Sequence, residues 1–198
     1  MSIMVDWEIK AAIEAGTIGI DPFDPALINP TSLDIRLGKN YTFTKAKKPS
    51  KEGTWTMPQY ATPSYFKPAY LYIDPQDKES FENRTRELSE YVLTEHETVI
   101  VSMFEHLTLP DNMSAKLCGK SSLGRLGLDN SSCAGWIDPG WRGVITMELT
   151  NNSRYNIKLT EGMKIGQLLF YKHEPVGQSY EQTGRYRDQK PGAGSLGV

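Results

Sequence analysis

Apolar side chains recur at helical spacing near the amino terminus, at Val5, Ile9, Ala12 and Ile13, and Gly16 follows where a helix can close in a left-handed conformation. Beyond Gly16 the period shortens: Leu33, Ile35 and Leu37 alternate with Asp34 and Arg36, as on a half-buried strand. Further β-rich runs fall at 98–103, 115–118, 144–150, 156–160 and 165–171. Turn residues such as Leu109-Pro110-Asp111-Asn112 and Asn151-Asn152-Ser153 separate them. This succession predicts a mostly β fold, a distorted antiparallel β barrel or jelly roll with a short N-terminal helix. No internal repeat interrupts it, so 1–198 is read as a single domain.

Two stretches depart from the pattern. Residues 45–95 carry a cationic segment at 45–51, then Pro49, Pro58, Pro63 and Pro68, then a charged run at 77–90. They read as an insertion on the barrel, with a short helix near 78–86, or as an excursion that packs against a neighbouring subunit. Residues 179–198 are polar and glycine-rich, a terminal tail whose most distinctive side chains are Tyr180, Arg185, Tyr186 and Gln189.

Composition narrows the function classes. Lys and Arg total 22 against 24 Asp and Glu, a net charge of −2, so the chain lacks the electrostatic footprint of a duplex nucleic-acid binder or an anionic-membrane binder. A polyanionic ligand must therefore be met by a local cluster. No apolar run is long enough to span a bilayer, and Met1-Ser2-Ile3-Met4-Val5-Asp6 lacks the order of a signal peptide, which reads as a cytoplasmic protein. Cys118 and Cys133 form no CxxC pair, and His96, His106 and His173 are scattered, so no zinc signature is expected. The H-x-E and P-C-x-x-C pattern of zinc deaminases is missing as well. Both cysteines read as free, small buried hydrophobes.

Candidate chemistry concentrates in Gly119-Lys120-Ser121-Ser122-Leu123-Gly124-Arg125 and the run that follows. A glycine lets the backbone approach an anion while an ammonium and two hydroxyls supply donors. The order is not that of a P-loop, and taken alone the turn reads more readily as a solvated loop than as a phosphate site. Arg125 close behind it, and Glu148 on the strand 144–150, raise its value. On that strand Ile145, Met147 and Leu149 share one face, and Val144, Thr146 and Glu148 the other. If the second face looks inward, apolar neighbours raise the Glu148 pKa and suit it to general-base work; if it looks outward, Glu148 is an exposed strand carboxylate.

At this point the chain resembles the dCTP deaminases of the dUTPase superfamily. The resemblance runs through Gly16-Thr17-Ile18-Gly19-Ile20-Asp21-Pro22-Phe23, Asn29-Pro30-Thr31-Ser32-Leu33-Asp34-Ile35-Arg36-Leu37-Gly38 and Leu109-Pro110. It resumes over 119–128 and 134–143, at Glu148-Leu149, at Gly162-Met163-Lys164-Ile165-Gly166-Gln167-Leu168, and at Tyr186 and Gln189. It implies a dUTPase-like homotrimer with active sites at subunit interfaces and a metal-free hydrolytic deamination of dCTP, with dUTP and dTTP as related ligands. In that reading Glu148 shuttles protons between water and the leaving ammonia, Arg125 holds Glu148 and the water, and Ser121 meets the water or the amino group. The Ala134 carbonyl orients the water. Lys120, Ser121 and Ser122 form the phosphate turn, Lys120 standing where Arg is common and serving a phosphate held by the adjacent subunit. Asp138 contacts the deoxyribose 3′-hydroxyl, Thr146 and Met147 offer strand backbone beside the pyrimidine, and Gln167, Tyr180 and Gln189 contact the triphosphate. Arg185 stands where Lys is usual, with a planar fork in place of an ammonium. The tail 179–198 becomes a lid, and Mg²⁺ accompanies the triphosphate.

Three activities remain open on these residues. The dUTPases share the Ser-Ser turn and a block like Ile137-Asp138-Pro139-Gly140-Trp141-Arg142-Gly143, but their position matching Glu148 is apolar, so Glu148 points to deamination. A bifunctional branch converts dCTP to dUMP and pyrophosphate, and its members share an Ala-Gly before the aromatic-Ile-Asp, as in Ala134-Gly135-Trp136-Ile137-Asp138. Against that branch, Asp129-Asn130-Ser131-Ser132-Cys133 departs from its His-Ser-Thr or His-Gln-Thr loop, with Ser131 in place of the His. The two are weighted nearly equally, deamination being the part common to both. A third possibility is a non-catalytic trimeric nucleotide-binding module that uses 45–95 as its interaction surface.

Overall fold

Nine residues, Asp6–Glu14, form α1, and its packing follows from the spacing that predicted it: Ile9 is fully buried while Trp7 and Lys10 stay exposed. The Val5 backbone N–H, left without an intrahelical partner, donates to the Glu8 carboxylate at 3.0 Å. Lys172 donates to the same carboxylate at 2.7 Å and ties the helix to the last strand. Gly16 takes φ +72°, the left-handed closure its position predicted. This computed structural model describes residues 1–47, 73–130 and 135–197.

The strands are β1 (Ser2–Ile3), β2 (Gly19–Asp21), β3 (Ile28–Asn29), β4 (Ser32–Ala46), β5 (Phe81–Glu87), β6 (Glu90–Leu93) and β7 (Thr98–Thr108). After them come β8 (Met113–Gly119), the single turn α2 (Ser121–Gly124), β9 (Leu128–Asn130), β10 (Trp136–Ile137), β11 (Arg142–Asn151), β12 (Ile157–Thr160), β13 (Lys164–Lys172) and α3 (Tyr180–Thr183). The fold is mostly antiparallel β, as the sequence predicts. The chain divides into two compact units, one of residues 1–42 and 85–193 and one of 43–84 and 194–198.

In the first unit the strands follow the order β10-β8-β13-β4-β7-β11-β9, all neighbours antiparallel. β1 joins β13, β2 joins β7, and β12 pairs separately with β6. Leu33, Ile35 and Leu37 of β4, Val99, Val101 and Met103 of β7, Met147 and Leu149 of β11, and Leu168 and Phe170 of β13 are each no more than 2% exposed and make up the core. Burying each such side chain contributes on the order of 2 kcal/mol.

In the second unit, the expected short helix near 78–86 is replaced by one 3₁₀ turn, Lys78–Ser80, and the strand β5. Asp77 caps that turn through its carboxylate and the Glu79 N–H at 2.9 Å. Within β5 only Phe81 is buried. Its charged residues therefore show no apolar period, and pairing with β4 decides the conformation. Asn83 accepts from Thr44 at 2.8 Å and donates to the Ser195 carbonyl at 2.9 Å. Residues 48–72 of the sequence-predicted insertion lie outside the described residues.

Candidate active site

Lys120 follows β8 and caps the start of α2, so the phosphate-type turn read from the sequence sits at a strand-to-helix corner. Its side chain folds back: Lys120 Nζ donates to Asp34 Oδ1 at 2.6 Å. Asp34 lies on β4 opposite Gln167 of β13 and is only 3% exposed. Lys164 Nζ reaches its second oxygen, Oδ2, at 3.1 Å, and Asn29 Nδ2 donates to Oδ1 at 2.9 Å. Burial alone would push the Asp34 carboxyl up. The hydrogen bonds from Lys120, Lys164 and Asn29 outweigh it and hold the group below the usual aspartate range.

Beside this cluster the buried Ser32 hydroxyl donates to Gln167 Oε1 at 3.1 Å, which leaves the Nε2 end of that amide as a donor. Two ammonium groups, an amide donor and the exposed hydroxyls of Ser121 and Ser122 thus flank one buried carboxylate. The donor set suits an oxyanion. It does not suit a metal held by the protein: both oxygens of Asp34 are engaged by cations, and the described residues contain no group of three or more His, Cys, Asp and Glu that could hold an ion.

Glu148 stands on β11, and the strand's two faces differ as the alternation requires. Ile145, Met147 and Leu149 are the core face; Thr146, Glu148 and Thr150 are half-buried. Glu148 is therefore neither sealed among apolar neighbours nor fully exposed, which corrects both sequence alternatives. With the Met147 side chain only 1% exposed, what that residue can offer a ligand is its backbone. Arg125 is exposed at the end of α2, and among the described residues no hydrogen bond or ion pair joins it to Glu148. α2 packs on β9, whose Asn130 pairs with Leu149, so Ser121 and Arg125 belong to a segment beside β11, on the far side of β9.

The tail reaches the Glu148 face directly. Gln189 Nε2 donates to the Val144 carbonyl at 2.9 Å and to Thr146 Oγ1 at 3.0 Å, and the Gln189 carbonyl accepts from Val144 N at 2.9 Å. Gly143 makes this approach possible: its φ is +146°, and a Cβ there would lie 2.7 Å from Gln189 N. Further back, the Tyr180 ring packs on Trp141 with centroids 5.2 Å apart, and its backbone N donates to the Pro139 carbonyl at 2.8 Å. Asp188 accepts from Arg142, which lowers its pKa below the usual range.

Of the other sequence-predicted residues, Asp138 is exposed in the turn before β11, and its carbonyl accepts from Trp141 N at 3.3 Å. Arg185 is exposed on the tail after α3. Ala134 and the loop residues Ser131, Ser132 and Cys133 lie outside the described residues. Cys118 is free and half-buried, less enclosed than expected. Sequence reasoning missed Asp34, Lys164, Asn29 and Ser32 as site residues. The available signal lay in segments 29–38 and 162–168, whose polar groups come to strands that would have to pair.

The chain matches the family described as dCTP deaminase-like over residues 3–173. It is 37% identical over 192 residues, 95% of this chain and 91% of the other, to a protein of Methanosphaerula palustris named dCTP deaminase, dUMP-forming. A protein of Clavibacter michiganensis with the same name is 37% identical over 195 residues, 95% of this chain and 87% of the other. Among solved structures, a 2′-deoxycytidine 5′-triphosphate deaminase from Agrobacterium tumefaciens shares the fold with a TM-score of 0.58 and 23% identity. That match covers 85% of this chain and 47% of the other, so this chain spans about half the length of that neighbour. The chain belongs to the dCTP deaminase-like family.

Proposed function

We propose that this protein hydrolyses dCTP twice, first at the cytosine amino group and then at the triphosphate, giving dUMP, ammonia and pyrophosphate. The observation that carries the second step is the name dUMP-forming on relatives that align with 95% of the chain. Deamination without phosphate cleavage is the second reading, favoured by Ser131 where the bifunctional pattern has His.

The chemistry assigned to this chain's residues is as follows. Glu148 takes a proton from the attacking water and returns it to the leaving nitrogen at C4, a role that needs a carboxylate reachable by water but partly desolvated. Arg125 orients Glu148 and the water, Ser121 meets the water or the amino group, and the Ala134 carbonyl accepts from the water. Thr146 and Met147 hold the pyrimidine edge by strand backbone, and Asp138 takes the 3′-hydroxyl. Lys120, Ser122, Gln167, Tyr180, Arg185 and Gln189 hold the triphosphate, with the tail as a lid. Mg²⁺, carried by the nucleotide, would neutralise part of the phosphate charge. That no hydrogen bond or ion pair joins Arg125 to Glu148 within one chain among the described residues supports a homotrimer whose sites combine residues of neighbouring subunits.

The test is to incubate the protein with dCTP and Mg²⁺ and to resolve dUTP, dUMP and pyrophosphate, with dUTP supplied in a parallel reaction. The expected result is dUMP and pyrophosphate in equal amounts with no build-up of dUTP. Accumulating dUTP reduces the activity to deamination, and nucleotide binding with no product leaves the non-catalytic module.

A further inference from the structure

We propose that Asp34 is a positioning residue whose buried carboxylate holds the ammonium groups of Lys120 and Lys164 as a preformed cation pair for the nucleotide's phosphates. The inference rests on the reading that a triphosphate binds at the Lys120 turn, and it adds two residues to that site.

Three observations carry it. One carboxylate takes a different lysine on each oxygen, Lys120 on Oδ1 at 2.6 Å and Lys164 on Oδ2 at 3.1 Å. Asp34 itself is fixed by its 3% exposure, by the Asn29 amide at 2.9 Å and by its place in the β4–β13 ladder. The lysines are not buried with it: the Lys120 side chain is 23% exposed and that of Lys164 50% exposed, so both ammonium groups can reach a ligand from solvent.

The physical consequence concerns entropy and donor count. A free lysine side chain loses up to about 2 kcal/mol of rotamer freedom when it is ordered. Anchoring to Asp34 meets that cost before the ligand arrives. An ammonium has three donors, so a lysine that spends one N–H on Asp34 keeps two for phosphate oxygens. Asp34 also lowers the net charge of the cluster from two positive to one, which keeps two like charges together without a ligand. The neighbouring Gln167, turned by Ser32 so that its Nε2 end donates, extends the same anion-facing edge.

The test uses the intact protein and the variants Asp34→Asn, Lys120→Ala, Lys164→Ala and the double variant Asp34→Asn/Lys120→Ala. In steady-state assays Asp34→Asn is expected to raise the KM for dCTP about tenfold, the size of one charge-assisted hydrogen bond, with kcat within about twofold of wild type. In the Lys120→Ala background the same change is expected to raise KM much less, because the residue acts through that lysine. An equal effect in both backgrounds, or a loss confined to kcat, overturns the proposal. Lys164→Ala, at a half-exposed side chain, is expected to raise KM about threefold; an unchanged KM removes Lys164 from the site and with it the cation pair.

Calorimetric titration with inorganic tripolyphosphate, with and without Mg²⁺, gives a readout that does not need turnover. Binding by the wild type that weakens in Asp34→Asn in the absence of Mg²⁺ supports the cation pair even if dCTP yields no product, in which case the proposed function fails alone. An Asp34 effect seen only with Mg²⁺ overturns the inference while leaving the proposed function intact.

Discussion

At Asp34 one buried carboxylate takes Lys120 on one oxygen and Lys164 on the other. Alternation of Leu33, Ile35 and Leu37 with Asp34 and Arg36 predicts a strand with one wet face, yet Asp34 is buried and Arg36 donates through Nε to the buried Glu105 at 2.6 Å. Periodicity reports which residues share a face, and the partners brought from β13, β7 and the Lys120 turn decide whether that face is dry. The polar run Lys120-Ser121-Ser122 behind a glycine is visible locally; the carboxylate that Lys120 binds, 86 residues away, is not. Because hydrogen bonds hold the Asp34 carboxyl below its ordinary pKa, ionisation of this group stabilises the fold above the unfolded-state value of about 3.9 and loses that contribution as pH falls through the lower folded value. Thermal unfolding of wild type and Asp34→Asn should therefore differ most near neutral pH, the wild type being more stable, and converge as pH falls below the unfolded-state value of about 3.9. A gap that stays constant over that range would show that the asparagine acts by packing alone.

Among the elements, α1 and the apolar strands were readable because each carries its own period over enough residues, whereas β5 was not, since its exposed charged residues adopt the extended form through pairing with β4. The tail was legible in its side chains but not in its path. Nothing in 179–193 announces that Gln189 will bridge in parallel to Gly143, because that contact depends on a missing side chain on the other strand. The same dependence makes a prediction. A methyl at Gly143 meets the Gln189 backbone at 2.7 Å and forces a strained φ, so Gly143→Ala should displace the tail from β11 at a cost of about 1–3 kcal/mol in local stability. The core beneath is untouched, so the global unfolding temperature should fall by only a few degrees. Limited proteolysis reads the difference: cleavage within 179–193 should become much faster in the variant while the rest of the chain stays resistant. Unchanged cleavage would mean that the tail does not depend on this seat.

At the level of the whole molecule, Arg125 and Glu148, the two groups proposed to act on one water, are joined by no hydrogen bond or ion pair among the described residues. Arg125 is exposed beside β9, and Glu148 is half-buried on β11, on the same face as Thr146, whose hydroxyl accepts from the Gln189 amide. Exposed apolar side chains, Trp7 at 69%, Leu126 at 65% and Trp136 at 48%, are what a surface covered by further copies would present. If the proposed trimer builds each site from Arg125 of one subunit and Glu148 of the next, two variants that are each inactive should repair one another. Glu148→Gln removes the proton acceptor and should lower kcat about a hundredfold or more while dCTP still binds, and Arg125→Ala should do the same by freeing the acceptor and the water. Mixed in equal amounts under conditions that exchange subunits, they should recover about a quarter of wild-type activity, because one site in four then draws both intact residues from different chains. Native mass spectrometry resolves mixed trimers through the mass lost in Arg125→Ala and so checks that exchange produced closed trimers. Recovery that never rises above the two parents, from trimers known to have exchanged, would place both residues of each site in the same chain and would require the tail and α2 to move together when nucleotide binds.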